Sequence, residues 1–323
     1  MSARFFVIGG AGFIGSHLTD ALALRGEVTV YDNLSVGKPE FIGGPLRTGQ
    51  AKLITADALD ADALAEAMKG HDAVFHLSAN PEARWGLERP RLDLEQGTIA
   101  TFNVLDAMRR TGVSRLVFSS SGTVYGDSDT PKSELDLGHL PISLYGASKL
   151  AGEAMIAAYA ECFGISATIF RFGNVVGPRG THGAALDFLK KLAASKTELE
   201  VLGNGKQSKP YLHVSDCVAG LLFGLDVAHP NGAGVEIYNL APNDQTTVAR
   251  IAELCVEASP YPRASIRFTG TERGWPGDVP RSRMLPEKLA ARGFRVRLSS
   301  DDAVRLAIGA LAGEVFPEEA APS

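Results

Sequence analysis

Short apolar runs alternate along the chain with longer segments in which apolar residues recur every three or four positions. Phe5-Phe6-Val7-Ile8, Val28-Thr29-Val30-Tyr31, Leu53-Ile54, Ala73-Val74-Phe75-His76-Leu77, Leu116-Val117-Phe118 and Ala167-Thr168-Ile169-Phe170 are of the first kind. Such runs, bounded by glycine or polar residues, read as strands buried on both faces. Ile14, Leu18, Ala21, Leu22 and Leu24 mark a helix that Gly26 stops, and helical spacing returns over Ala61 to Met68, Leu92 to Arg110 and Tyr145 to Phe163. This alternation predicts an α/β fold built on a doubly wound parallel sheet. Beyond Arg171 the pattern loosens into Gly-, Pro- and Asn-rich loops. A main domain is expected over 1–172 plus about 211–240, and a smaller C-terminal α/β substrate lobe over about 173–210 and 241–312. Residues 313–323 are expected to be a flexible tail.

The first strand-to-helix turn carries the first candidate chemistry. Gly9-Gly10-Ala11-Gly12-Phe13-Ile14-Gly15 lies between an apolar strand and an amphipathic helix, the context of a Rossmann-type dinucleotide site. Gly9, Gly12 and Gly15 let the backbone turn tightly, and Phe13 and Ile14 open the helix whose N-terminus faces the pyrophosphate. The second strand ends at Asp32, which can accept both adenosine ribose hydroxyls and would repel a 2′-phosphate. NAD is therefore expected over NADP. Ligands of such sheets bind beyond the C-terminal strand ends, which brings Asp57, Leu77-Ser78-Ala79 and Ser119-Ser120-Ser121 to the same crevice.

Composition narrows the class. A net charge of −5 gives no reason to expect nucleic acid or an anionic membrane surface. Three cysteines without paired spacing argue against a disulfide framework or a zinc site, and none of the seven histidines has metal-ligand spacing. No signal peptide or bilayer-length apolar stretch is evident, so a soluble cytoplasmic protein is expected.

Tyr145-Gly146-Ala147-Ser148-Lys149 is the second candidate. Tyr145 and Lys149 are four apart at the start of a helix and share a face. A free tyrosine, with a pKa of about 10, is a poor base near neutrality. A nearby ammonium, with a positively charged nicotinamide, is expected to favour the phenolate.

With both motifs in view the chain resembles the extended short-chain dehydrogenases/reductases, the NAD-dependent epimerase/dehydratase family that includes UDP-glucose 4-epimerase. The matching stretches run GGAGFIGSHL from Gly9, DNLSVG from Asp32, HLSAN from His76, FSSSGTVYG from Phe118, YGASK from Tyr145, RFGNVVGPR from Arg171, LGNGKQSKPYLHVSD from Leu202 and GWPGDVPRS from Gly274. The resemblance implies that Asn33, Ser35, Gly37, Asp57, Ala58, Leu77, Ser78, Ala79, Ser119 and Phe172 complete the cofactor site. It implies catalytic roles for Ser121, Thr123, Tyr145 and Lys149. Ser121 would hold the sugar hydroxyl whose proton Tyr145 takes, and Lys149 would tune Tyr145 and bind ribose. Substrate contacts are expected from Arg84, Ser121, Asn174, Arg179, His182, Leu199, Val201, Lys209, Tyr211, Arg273, Trp275 and Asp278. A UDP-sugar substrate and a homodimer packed through helices 92–110 and 145–162 are likewise implied.

The family's 4,6-dehydratases carry an Asp-Glu pair after the serine, and its decarboxylases a Glu at the second position. Here those positions are Gly122 and Thr123, which cannot act as acid or base near neutrality. The expectation is therefore a 4-epimerase of a UDP-hexose. UDP-glucuronate 4-epimerisation stays open through Arg84, as does a dehydratase or reductase on the same scaffold. A non-catalytic NAD-binding protein is the least favoured. Three positions depart from the family pattern: Gly97 stands where Asn is usual, Lys209 replaces an Arg that would grip a phosphate bidentately, and Trp275 replaces another Arg. Trp275 could stack on a base or sugar, with Arg273 or Arg281 taking the diphosphate, or be a structural aromatic.

Overall fold

The computed structural model of the chain describes residues 2–128, 130–136, 140–227 and 234–317. Its elements alternate as the apolar pattern predicts: β1 (Ala3–Ile8), α1 (Phe13–Ala23), β2 (Gly26–Asp32), β3 (Ala51–Thr55), α2 (Ala61–Met68), β4 (Ala73–His76), α3 (Ala100–Thr111), β5 (Arg115–Ser121), α4 (Leu144–Phe163) and β6 (Ser166–Phe172). There follow α5 (Ala184–Ser195), α6 (Val214–Asp226), β7 (Gly234–Leu240), α7 (Val248–Ala258) and α8 (Ser300–Val315). Seven strands form one sheet in the order β7-β6-β5-β4-β1-β2-β3. β1 pairs in parallel with both β2 and β4, so the strand order reverses beside β1. That switch point is where a Rossmann-type sheet leaves room for a ligand beyond its C-terminal ends.

The sequence shows why these strands are central. Phe6, Val7 and Ile8 of β1 are at most 1% exposed, as are Val74 and Phe75 of β4. Side chains of both parities are thus covered, on one face by Leu64, Met68, Val104 and Met108 of α2 and α3. Burial of a large aliphatic or aromatic side chain contributes about 1.5–3 kcal/mol, so this layer dominates the sheet's stability.

The chain forms two compact units. The first comprises Met1–Val124, Ser143–Arg171 and Cys217–Tyr238; the second comprises Tyr125–Ile142, Phe172–Asp216 and Asn239–Ser323. The expected division placed 125–142 and 211–216 with the main domain, and both belong to the second unit. The first is tied there by Asn239, whose amide donates to the carbonyls of Lys132 and Leu285 and whose backbone N–H donates to Glu134.

The core of the second unit joins α5, α7 and α8, with Leu189, Leu192, Leu254 and Ile308 at its centre. The expected tail begins too early. Gly313–Val315 continue α8, and Phe316 is 7% exposed and packs edge-on against Tyr261. Residues 318–323 lie outside the described residues. No described helix is long and apolar enough to cross a membrane.

The expected helix over 92–110 is interrupted. One turn at Arg91–Asp93 leads into a π-helical turn, Leu94–Ile99, and only then into α3. Gly97 sits within that turn, where an added Cβ would overlap Ser148 Oγ of α4. The close approach leaves no room for the side chain usual in the family.

Candidate active site

The first unit builds a dinucleotide cradle from backbone geometry. Gly9 has φ +78°, and a Cβ there would stand 2.9 Å from the Ser78 amide nitrogen. A Cβ on Gly15 would overlap the Gly9 carbonyl oxygen. Both positions need glycine for the turn to close. Gly12 caps α1 with no side-chain hydrogen bond, and the first turn, through Phe13, Ile14 and Gly15, carries no acid. The positive end of the helix is thus offered to an anion.

Asp32 ends β2 with its carboxylate fixed in advance. Oδ2 accepts from the Ala11 N–H at 2.9 Å, Oδ1 accepts from the Leu34 N–H at 2.9 Å, and Gly37 packs against it. Asp57 is similarly held: Oδ1 accepts from Leu59 N–H, and Oδ2 accepts from the Asn33 amide at 2.9 Å and the Gln96 amide at 3.4 Å. Asn33 Oδ1 accepts from the Ser35 N–H. Ala58 is buried, and Leu77, Ser78 and Ala79 are half-buried beyond β4. Ser119 donates to the His76 carbonyl at 3.1 Å, joining β4 and β5. Phe172, expected near the cofactor, is buried in the second unit.

Ser121, Thr123, Tyr145 and Lys149 come together at the end of β5 and the start of α4. Ser121 Oγ accepts from the Thr123 hydroxyl at 3.0 Å and from the Thr123 N–H at 3.2 Å. With two donors on Ser121 Oγ, its own proton is what it has left to give, and Ser121 favours ionisation of the Tyr145 phenol. The Lys149 ammonium donates to the Ser119 carbonyl at 2.7 Å and lies 5.8 Å from the Tyr145 ring centre.

Burial dominates the electrostatics. It pushes the Tyr145 phenol up to about 12, the Asp93 charge adds to this, and the Ser121 hydrogen bond opposes it. It pushes the Lys149 ammonium down to about 8, against the pull of Glu153 and Asp93. The expected lowering of Tyr145 by Lys149 is therefore not the leading effect in the protein alone. Taken out of water, the phenolate needs a further positive charge.

Three charged or polar groups here escaped the sequence reading. Glu153 lies one turn beyond Lys149, a spacing that could have flagged it. It pairs with Arg171 at 2.6 Å, both side chains at most 4% exposed, and accepts from Ser120. Asn80 and Asp93 are joined by a 3.0 Å hydrogen bond and are also buried. Asn80 closes the HLSAN stretch but had no role assigned, and no local pattern marked Asp93, because its buried surroundings come from distant segments.

Arg84 stands on the loop after β4, with its guanidinium donating to both carboxylate oxygens of Glu82. The remaining expected substrate residues lie in the second unit. Lys209 pairs with Asp278 at 2.7 Å, and Asn174 hydrogen-bonds the buried Tyr211 phenol, which burial and the Asp278 charge raise. Those four form one cluster. Arg273 is instead paired with Asp127 at 2.5 Å, and Trp275 packs over Gly277. His182 is exposed, and Arg179 has an unusual φ of +62°. Leu199 and Val201, expected on a pocket wall, are 0% exposed and turn into the core of the second unit; Leu202 is the exposed neighbour. The strand Glu198–Val201 alternates, which sends every second side chain inward.

The glycine cradle, the open helix terminus and the pre-set Asp32 carboxylate fit NAD: the first two suit a pyrophosphate and the third a ribose diol. No cluster of metal ligands occurs among the described residues. The model of the NAD dependent epimerase/dehydratase family matches residues 5–241. A UDP-glucose 4-epimerase of Corynebacterium glutamicum is 30% identical over 275 residues, 80% of this chain and 81% of that protein. A crystal structure of a UDP-galactose 4-epimerase superposes with a TM-score of 0.86 at 39% identity, over 97% of this chain and 100% of the other. The Thermus thermophilus UDP-glucose 4-epimerase in complex with NAD superposes with a TM-score of 0.85 at 28% identity, over 96% and 99%. Both the matched model and the site assembled from Gly9, Asp32, Tyr145 and Lys149 therefore lead to one conclusion: the chain belongs to the NAD dependent epimerase/dehydratase family.

Proposed function

We propose that this chain is an NAD-dependent UDP-sugar 4-epimerase. The observation that carries the reading is Ser121, aimed at Tyr145 by Thr123, with no further acid or base at Gly122 or Thr123. Such a site can remove and return one proton. It lacks the second acid–base pair that expelling water would need. The named UDP-sugar 4-epimerases among the relatives support the same substrate class.

Tyr145 Oη would take the proton of the sugar C4 hydroxyl while Ser121 holds that oxygen. Bound NAD supplies the hydride acceptor and a positive ring that favours the phenolate. Tyr145 would return the proton after the ketone has presented its other face. Lys149 would hold ribose and add positive charge. Asn174 and Lys209 would contact the diphosphate, and Asp278 the nucleotide end. Arg84, the residue that favoured a uronate, is engaged by Glu82, so a UDP-hexose is preferred.

A homodimer is also proposed, through the exposed apolar residues Ile99, Phe102 and Phe163 and the small exposed Ala154 and Ala158 of α4.

The test incubates the protein with UDP-glucose, UDP-GlcNAc and UDP-glucuronate separately in deuterated buffer. The expected product is inverted at C4, carries no solvent deuterium, and disappears in Tyr145→Phe. A product lighter by one water, with deuterium in the sugar, would overturn the epimerase reading.

A further inference from the structure

Asp93 ends the helical turn Arg91–Asp93, directly before the π-helical turn, and is 1% exposed. Its Oδ1 accepts from the Asn80 amide at 3.0 Å. Asn80 is itself fixed, its Oδ1 accepting from the Glu82 N–H at 3.2 Å. Asp93 Oδ2 is wholly buried and accepts no hydrogen bond. It rests against Gly86, where a Cβ would overlap it and stand 3.6 Å from the Cβ of Leu144, the residue before Tyr145. The carboxylate thus sits at the entrance of α4, beside the catalytic pair.

A buried carboxylate with an unbonded oxygen is costly unless a charge compensates it. On α4, Glu153 pairs with Arg171 of β6 and still pulls Lys149 up more strongly than Asp93 does. On β4, burial and the Lys149 charge hold His76 neutral. Lys149 donates only to a carbonyl. Asp93 and Lys149 are the two opposite charges without an ion-pair partner of their own. Burial pushes the Asp93 carboxyl up, against the Asn80 hydrogen bond and the Lys149 charge, while Asp93 favours the charged form of Lys149 and opposes ionisation of Tyr145.

We propose that Asp93 is a positioning residue of this site, a buried carboxylate whose charge sets how readily Tyr145 becomes a base. It acts through the pair and touches no reacting atom. Gly86 is part of the device, since any side chain there would displace Oδ2.

The inference rests on the epimerase reading for the use made of Tyr145, so the deciding measurement needs no substrate. In the NAD-loaded protein, the phenolate absorbance of Tyr145 is followed against pH, with Tyr145→Phe as the blank. In Asp93→Asn the titration is expected about one pH unit lower, a tenfold rise in phenolate at a given pH. An unchanged or higher titration would overturn the proposal. The carbon-13 carboxyl resonance of Asp93 in the unaltered protein gives a second answer, even if Asp93→Asn does not fold. Ionisation throughout pH 6 to 9 supports the proposal, and a proton retained at pH 7 overturns it. A chain without epimerase activity would remove the functional reading and leave both titrations interpretable.

Discussion

The Thr123 hydroxyl donates to Ser121 Oγ at 3.0 Å, and the Thr123 N–H donates to the same oxygen at 3.2 Å. One residue thereby fixes where the proton of another points. In the proposed site Thr123 would aim Ser121, with no acid–base role of its own.

Thr123→Val keeps the shape and one of the two donors. Losing a neutral hydrogen bond costs about 0.5–1.5 kcal/mol. The variant is expected to lose roughly tenfold in kcat, with KM and the melting temperature little altered, while Thr123→Ser keeps most of the rate. Steady-state kinetics with the active UDP-sugar decide this. Equal kcat in Thr123→Val and the unaltered chain would remove the aiming role.

Glu153 and Arg171 are expected to matter to stability in an asymmetric way. Glu153→Gln removes the carboxylate that faces the buried Arg171 charge, and breaking a buried pair costs about 3–5 kcal/mol. Replacing both by Met and Leu removes the charges together and should cost much less. Urea unfolding of the single and double variants measures the difference. A double variant as unstable as the single one would show that shape, and not charge, governs the site.

His76 gives the fold a defined response to acid. Burial, with Lys149 nearby, lowers its pKa to about 3, below the ~6.5 of an unfolded histidine. As pH falls the unfolded chain therefore binds the proton first. This contribution is intact above pH ~6.5 and is lost below it at about 1.4 kcal/mol per pH unit, until pH nears 3. Between pH 7 and 5 the loss should be roughly 2 kcal/mol, and smaller by that amount in His76→Gln. Urea midpoints at the two pH values check it; parallel losses in both proteins would refute it.

Gly97 sets the spacing between the π-helical turn and α4. Gly97→Ala places a methyl on Ser148 Oγ, and overpacking of this kind costs about 1–3 kcal/mol. Adding Ser148→Gly should recover most of that loss in a thermal melt. If Gly97→Ala alone melts like the unaltered chain, the two segments can part without penalty.

Much of this could be read from the sequence, for reasons that differ by residue. β1, α1 and β2 announced themselves because buried parallel strands are continuously apolar and Gly9, Gly12 and Gly15 serve local geometry. Tyr145 and Lys149 were visible because one helical turn separates them. Leu199 and Val201 were misplaced because proximity in sequence to a pocket says nothing about which side of a strand faces it. The π-helical turn was hidden since its extra residue serves packing on Ser148, a contact made across about 50 residues of chain. Asp93 looked like an ordinary helical acid. Its burial depends on Asn80, Gly86 and Leu144, which no local window joins. The ordered Phe316 reads as tail by composition and as core only once Tyr261 is beside it.

The pre-set carboxylate of Asp32 has a consequence for how cofactor and protein part. Its rotation is already restrained by Ala11 and Leu34 N–H groups, so little conformational freedom remains to be lost when a ribose arrives. Affinity gained this way resides in slow departure more than in rapid arrival. If the proposed cycle holds and the oxidant is regenerated at every turnover, one captured dinucleotide would serve a very large number of sugars.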